Sequence, residues 1–171
     1  MTERVNVDSA GRPGNGYSVV PAISDEGRFV AFWSGADNLV PDDTNLADDI
    51  FVHDRRTGGT ERISLDSAGE QGNAASLFPA ISGKGRFVSF MSLASNLVSG
   101  DTNGQFDVFV HDRHTGVTKR VSVSSTGQQG NLPSFGSAIS GDGRVVGFES
   151  AASNLVPGDT SGSNDVFVHS H

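Results

Sequence analysis

The sequence predicts an all-β fold made of three repeats, and three observations lead to this prediction. First, residues 79–90 have close copies at residues 21–32 and 137–148, so the repeat period is 58 residues in both intervals. Second, no segment has the 3.6-residue apolar spacing of an amphipathic helix. Third, 22 of the 171 residues are glycine, as expected where many short strands are joined by turns. A fixed period of this length indicates a repeat architecture.

Each repeat is predicted to contain four strands. In the first repeat they are expected near residues 19–23, 28–34, 49–54 and 60–66. The second and third strands are mostly apolar, which is typical of strands buried on both faces, whereas the fourth alternates polar and apolar residues. Four-stranded antiparallel units arranged around an axis are the blades of a β-propeller. The sequence therefore predicts a single propeller segment, residues 1–171, with three blades.

The first predicted strand of the chain corresponds to the fourth strand of a blade, and the other three strands of that blade do not precede it. The three repeats cover residues 9–66, 67–124 and 125–171. Residues 2–8 resemble the fourth strands at 60–66 and 118–124, and the third repeat stops after its third strand. Residues 2–8 are thus predicted to complete a third blade. Since propellers usually have 4–8 blades, three are too few to close a ring, and we expect this strand to complete the blade of another copy.

The expected partner is therefore the protein itself, in a cyclic homo-oligomer whose ring is closed by exchange of the N-terminal strand. A homodimer with six blades is favoured, and a homotrimer with nine blades is second because nine lies outside the usual range. The net charge of −8 and the pI near 4.9 argue against nucleic acid or an anionic membrane as partner. A protein or carbohydrate ligand is compatible with this charge.

The composition leaves the compartment open. Without cysteine there is neither a disulfide framework nor a zinc–thiolate site. The first residues contain no apolar stretch of signal-peptide length, so either the protein is cytoplasmic or the sequence is a piece of an exported parent.

Two motifs resemble a known family. The pattern Ile-Ser-x-x-Gly-Arg-Phe-Val-x-Phe at residues 81–90 is followed by Asp-Val-Phe-Val-His-Asp-Arg-x-Thr-Gly-x-Thr-x-Arg-Val-Ser at residues 107–122. Together they resemble the TolB-like β-propeller repeat, and the resemblance covers nearly all of the chain. It implies a bacterial origin and an extracytoplasmic parent. Members of that family serve as protein-interaction modules, as companions of peptidase domains and as lyases. The repeats here are longer than the family's usual unit, and Gly83-Lys84-Gly85 lacks its acidic residue.

The connection before the third strand is the candidate metal site. Oxygen-bearing side chains recur there at relative positions 1, 3 and 7, a spacing that can supply calcium with hard ligands on a curved loop. The candidate ligands are Asp43, Asn45 and Asp49 in the first repeat, Asp101, Asn103 and Asp107 in the second, and Asp159, Ser161 and Asp165 in the third. The second repeat is expected to be the best site. The alternative is an Asx turn, in which the same side chains cap backbone N–H groups.

Other polar residues recur with the same period and are expected to be structural. His53, His111 and His169 are predicted to form hydrogen bonds across blades rather than to ring a metal. Two sets of repeated arginines are predicted to pair with repeat aspartates at exposed blade edges, namely Arg4, Arg62 and Arg120, and Arg28, Arg86 and Arg144. No nucleophile elbow or phosphate-binding loop is present.

The favoured function is therefore a non-catalytic, self-assembling propeller scaffold or binding module, with calcium as the candidate cofactor. The first alternative is a hydrolase or lyase that acts on a polysaccharide at the ring axis. The second is an excised or engineered propeller segment without a natural ligand.

Overall fold

The structure is a computed structural model that describes residues 1–171, and all of its regular secondary structure is β. Eleven strands form two four-stranded sheets and one three-stranded sheet, all antiparallel. Blade 1 contains β1 (Ser18–Ile23), β2 (Phe29–Ser34), β3 (Asp49–Asp54) and β4 (Gly59–Arg62). Blade 2 contains β5 (Ser76–Ile81), β6 (Phe87–Ser92), β7 (Asp107–Asp112) and β8 (Val117–Arg120). Blade 3 contains β9 (Ser134–Ile139), β10 (Val145–Ser150) and β11 (Asp165–Ser170). The predicted all-β, three-blade architecture is confirmed.

The fourth strand of each complete blade is shorter than predicted. β4 ends at Arg62 and not at residue 66, because Leu65 already pairs with Gln71 in an isolated bridge that leads into the next blade. Residues 2–8 form no strand within this chain, where only Val7 makes a bridge, to Pro13. The predicted neighbour of this segment is another copy, so the twelfth strand stays a prediction.

Adjacent blades pack face to face through apolar cores. One cluster joins Ile50, Val52 and Ile63 of blade 1 to residues of blade 2 that include Phe90. A second cluster joins blades 2 and 3 in the same way. The turns near the inner strands are linked as well, since the Asp25 N–H donates to the Gly83 carbonyl at 2.9 Å. Each blade is therefore stabilised by its neighbour, as in other repeat proteins.

The N-terminal segment packs on blade 1 in the same way that the segment after β4 packs on blade 2. Val5 packs against a third apolar cluster on the free face of blade 1. The Gly14 N–H donates to the Asn6 carbonyl at 2.9 Å, and the Gly72 N–H donates to the Ser64 carbonyl at 3.0 Å. Residues 5–16 thus lie against blade 1 as residues 63–74 lie against blade 2, while residues 1–4 are exposed.

Backbone strain is confined to a few positions, and two of them distinguish blade 1 from the other blades. Asp42 and Leu46 have φ values of 57° and 56°, in the left-handed region. The corresponding residues of blade 2 are Gly100 and Gly104, with φ values of 74° and 62°. The two loops have the same backbone conformation. In blade 1, residues with side chains adopt the left-handed conformation, which is sterically unfavourable for them. Separately, no helix of the chain is long and apolar enough to cross a membrane.

Acidic loops and the open edge of blade 3

In blade 1, the predicted calcium ligands surround an arginine. Arg62 projects from β4, and its Nη1 lies 3.0 Å from Asp43 Oδ1 and 3.4 Å from Asp49 Oδ2. Asn45 donates from Nδ2 to Asp49 Oδ2 at 3.0 Å, and its Oδ1 accepts from the Ala47 N–H at 3.0 Å, which is the geometry of an Asx turn. All of these contacts are inside the blade. The guanidinium therefore supplies the positive charge that the two carboxylates face.

Blade 2 repeats this arrangement. Arg120 Nη1 lies 3.4 Å from Asp101 Oδ1 and 3.3 Å from Asp107 Oδ2. Asn103 donates to Asp107 Oδ2 at 3.1 Å, and the Ser122 hydroxyl donates to Asp107 Oδ1 at 2.6 Å. The sequence prediction placed these arginines at exposed edges, which is wrong. Their side chains are almost buried because the loop folds over the end of the outer strand.

Burial dominates the electrostatics of these loops. It raises the pKa of Asp43, Asp49 and Asp101 above the ordinary aspartate value, although a neighbouring arginine acts in the opposite direction. Removing such an arginine would leave two carboxylates close together and poorly solvated, which is costly. In blades 1 and 2 the guanidinium is thus an integral part of the loop.

The loop of blade 3 has the carboxylates but not the arginine. Asp159 and Asp165 form no ion pair, and Ser161 donates its hydroxyl to Asp165 Oδ2 at 2.8 Å. Both aspartates are partly exposed, whereas Asp49 and Asp107 are fully buried. The structure brings Asp159, Ser161 and Asp165 into one loop, as the sequence indicated. No group of three or more His, Asp or Glu side chains has metal-binding geometry in any blade, and calcium binding stays a prediction.

One face of β11 exposes apolar side chains, and its outer edge is unpaired. Val166 and Val168 are 79% and 76% exposed. The same positions are at most 2% exposed in the two complete blades, where they are Ile50, Val52, Val108 and Val110. The difference arises because no strand pairs with β11 on the side where β4 and β8 pair in the other blades, and because no further blade covers its face. Unpaired edges with exposed apolar residues are typical sites of strand addition.

His53 and His111 each contact a threonine of their own blade, so the prediction that they form hydrogen bonds across blades is wrong. His53 Nδ1 lies 2.8 Å from Thr60 Oγ1, across the β3–β4 pair. It is the threonine that reaches the preceding segment: its hydroxyl donates to the Val7 carbonyl, and its N–H donates to Ser9 Oγ at 3.1 Å. Burial lowers the pKa of His53, which favours the neutral ring.

In blade 2 the same set consists of His111, Thr118, Leu65 and Ser67. His111 Nδ1 lies 2.8 Å from Thr118 Oγ1, whose hydroxyl donates to the Leu65 carbonyl. The Thr118 N–H donates to Ser67 Oγ at 3.0 Å. This threonine is thus a fixed junction between one blade's outer strand and the loop that precedes the blade.

In blade 3 the corresponding groups line an open cavity. His169, Val123 and Ser125 border a space of about 520 Å³ beside β11, together with apolar residues that include Phe167 and Leu155. None of the three has a threonine partner. Burial lowers the pKa of His169, and the charge of Lys119 acts in the same direction. The cavity has the three polar groups that hold Thr60 and Thr118 in the complete blades.

A second ion pair lies near the other end of the complete blades. Arg28 forms two hydrogen bonds with Asp54, and Arg86 forms two with Asp112. These bonds hold the pKa of each aspartate well below its usual range. Blade 3 has Ser170 at the aspartate position, and its arginine has no such partner. The repeated polar residues of the complete blades are thus engaged in contacts that support the framework.

Two known structures share this architecture at low sequence identity. TolB from Acinetobacter baumannii superposes with a TM-score of 0.53 and 21% identity over 91% of this chain and 30% of its own length. The tricorn protease superposes with a TM-score of 0.56 and 18% identity over 90% of this chain and 14% of its own length. No family model matches the sequence, and no curated protein matches it significantly. At these identities the resemblance shows the fold and not the activity. The chain therefore has a TolB-like β-propeller fold, of which it forms three blades.

Proposed function

We propose that the protein is a non-catalytic propeller scaffold that completes its ring with further copies of itself. The observation that carries this proposal is the exposure of β11: its outer edge is unpaired, and Val166 and Val168 on its face are exposed although the same positions are buried in both complete blades. A second copy can cover this edge with its own N-terminal segment, because residues 1–4 are exposed and pair with no strand of their own chain. A homodimer would have six blades and lies within the usual range, whereas a homotrimer would have nine.

The absence of catalysis is part of the proposal and rests on how the repeated side chains are used. A catalytic site needs separate acid, base and stabilising groups around one point. The histidines of blades 1 and 2 instead bond to threonines that bridge the blades, and the buried aspartates hold arginines. The scaffold presents its loops to a protein or carbohydrate partner. Metal-dependent turnover of a polysaccharide by the assembled protein would contradict this part of the proposal.

Calcium is proposed only for blade 3. In blades 1 and 2 the arginine already faces both carboxylates of the loop, so a cation would have to displace a nearly buried guanidinium. Asp159, Ser161 and Asp165 face no arginine within the chain and are the remaining oxygen ligands. A guanidinium from a second copy would exclude calcium from this loop as Arg62 and Arg120 do, so the proposed site belongs to the dissociated chain. Calorimetric titration of the dilute, dissociated chain with calcium should therefore give at most one site per chain, and Asp165→Asn should remove it. Binding that survives Asp165→Asn would contradict this assignment.

The mass in solution tests the assembly. Light scattering on the 17.8 kDa chain should give about 36 kDa for a dimer or about 53 kDa for a trimer. The double variant Val166→Lys/Val168→Lys places charges on the edge and should give the monomer mass. Leu46→Lys is the matched control, since Leu46 is 92% exposed in blade 1 and lies away from that edge. A folded wild-type monomer at all concentrations would overturn the proposal.

A further inference from the structure

We infer that residues 2–6 of a second copy complete blade 3 in the register of β4 and β8, with Arg4 entering between Asp159 and Asp165 and Thr2 bonding to His169. The inference rests on the proposed self-assembly and goes further, because it names the contacts that make the junction specific. The two complete blades show the same contacts within the chain, so the partner's chemistry can be taken from observed geometry.

The register follows from the 58-residue period. In blade 1 Phe51 pairs with Arg62 and His53 pairs with Thr60, and blade 2 has the same pairs one period later. One further period places Phe167 opposite Arg4 and His169 opposite Thr2 of the second copy. A shift by one residue would turn the apolar side chains to the opposite face, so the register is well specified.

The cavity beside β11 fits Thr2. In blade 1 the threonine hydroxyl donates to a backbone carbonyl and therefore accepts from the histidine Nδ1–H, while the threonine N–H donates to a serine hydroxyl. In blade 3 the Val123 carbonyl, His169 and Ser125 are the corresponding groups, and all three residues line the cavity. Because the carbonyl and the serine lie on the loop that precedes β9, Thr2 would join the second copy both to β11 and to this loop.

The acidic loop fits Arg4. Arg62 and Arg120 each contact two aspartates at 3.0 to 3.4 Å, and Arg4 holds the same place in the period. Asp159 and Asp165 are the only pair of these loop carboxylates without a guanidinium. Arg4 itself is exposed and makes no ion pair within the chain. One unpaired cation and one unpaired pair of anions therefore remain at the two ends of the same chain.

The N-terminal segment is also held in a position suitable for this contact. Val5 packs on blade 1, and Asn6 accepts a hydrogen bond from Gly14, as Ser64 does from Gly72 in the complete junction. Glu3 pairs with Arg55, as Glu61 pairs with Arg113 one period later. The segment is thus anchored before assembly, which lowers the entropic cost of adding it to a second copy.

Charge reversal tests the contact between Arg4 and the acidic loop. Arg4→Asp and Asp165→Arg should each raise the dissociation constant of the assembly at least about 100-fold, because each leaves like charges facing at the junction. The double variant Arg4→Asp/Asp165→Arg should assemble again. Arg56→Asp, at an exposed arginine without an ion pair, is the matched control and should leave the mass unchanged. Circular dichroism should show that every variant retains its β structure.

Mixing the two single variants adds information on the ring. In a dimer made of one Arg4→Asp copy and one Asp165→Arg copy, both junctions join opposite charges, so an equal mixture should recover about 36 kDa. In a ring of three copies at least one junction joins like charges, and the mixture should not recover while the double variant does. Thr2→Val provides an independent readout and should weaken assembly about tenfold by removing the hydroxyl bonds.

The outcomes separate this inference from the proposed function. If the single charge variants assemble as tightly as the wild type, the named contacts are wrong while self-assembly stands. If the wild type itself is a monomer, both fall. If the charge variants dissociate but neither the mixture nor the double variant recovers, the specific pairing of Arg4 with Asp165 is overturned.

Discussion

Blade 2 and blade 3 have nearly the same strands but very different surroundings. In blade 2, Val110 is 2% exposed and Asp107 is fully buried beside Arg120. In blade 3, Val168 is 76% exposed and Asp165 faces no cation. The second and third strands pair in the same register in the two blades, since β10 pairs with β11 as β6 pairs with β7. The burial of a strand in this fold is therefore decided by the neighbouring strand and blade rather than by the strand's own residues.

The difference between the two blades also shows the role of the polar residues that recur in every repeat. Each complete blade joins a histidine, a threonine, an arginine and two aspartates, and the threonine and arginine come from the outer strand. Blade 3 lacks this strand, so its histidine has no threonine partner and its two aspartates have no arginine partner. The repeated polar residues are parts of a junction that is complete twice within the chain, and we propose that the N-terminal segment and blade 3 carry the two halves of a third.

The largest effect should come from truncating the same phenylalanine in the two blades. Phe109 is fully buried and stacks on Phe90 at a centroid distance of 6.0 Å. Phe109→Ala should lower the free energy of unfolding by about 3 to 5 kcal/mol in urea titrations. Phe167→Ala should cost clearly less in the dilute monomer, because Phe167 is only partly buried there. Equal losses in dilute solution would mean that blade 3 is covered within a single chain, contrary to the comparison.

A smaller effect is expected at the strained loop position of blade 1. Leu46 has a left-handed backbone and is 92% exposed, so its side chain gains little from packing. Leu46→Gly should raise the free energy of unfolding by about 1 kcal/mol, because glycine adopts this conformation without a steric cost. The reciprocal variant Gly104→Leu in blade 2 should lower it by a similar amount. A loss of stability in Leu46→Gly would show that the leucine makes a contact that outweighs the strain.

The smallest effect should come from the exposed ion pair of blade 2. Arg86 is about half exposed, so Arg86→Ala should change the melting temperature only slightly at neutral pH. Arg86 lowers the pKa of Asp112, and the pair therefore contributes stability above the ordinary aspartate pKa of 3.8. This contribution is lost as the pH falls below that value, so the two melting curves should converge in acid. Arg144→Ala is the control, because blade 3 has no aspartate at this position and Arg144 makes only a long, exposed contact of 4.0 Å with Asp142, so any convergence should be much smaller.

Most of the fold could be predicted from the 58-residue repeat period. Residues 49–54 were predicted as the third strand and form β3, because an apolar run bounded by turn residues has few alternatives at this length. The predicted outer strand was longer than the observed one, since alternation continues through residues 63–66 although the regular pairing ends at Arg62 and Leu65 already pairs with Gln71. Local patterning shows that a strand can form, but the end of a strand depends on where its neighbour ends.

The candidate site was predicted less completely. The spacing of Asp101, Asn103 and Asp107 showed correctly that these residues share one loop, but it did not show that Arg120 lies between the carboxylates. The arginine is 13 residues beyond Asp107 and reaches the loop only because β7 and β8 form a hairpin. The signal was present in the sequence, since Arg62 and Arg120 recur together with the paired aspartates. It became meaningful only when the strand register was known.

The sequence by itself determined the strand order, the period and the phase of the chain, because these depend on local alternation and on turn residues that act within a few positions. The tertiary structure decided which residues are buried and which polar groups have partners, because both depend on contacts between segments about 50 residues apart, such as Thr60 with Ser9. It also decided that the N-terminal segment rests on blade 1 and that β11 is exposed. Hydrogen bonds and apolar packing between distant segments require the three-dimensional arrangement, and a linear pattern specifies only the residues that are able to make them.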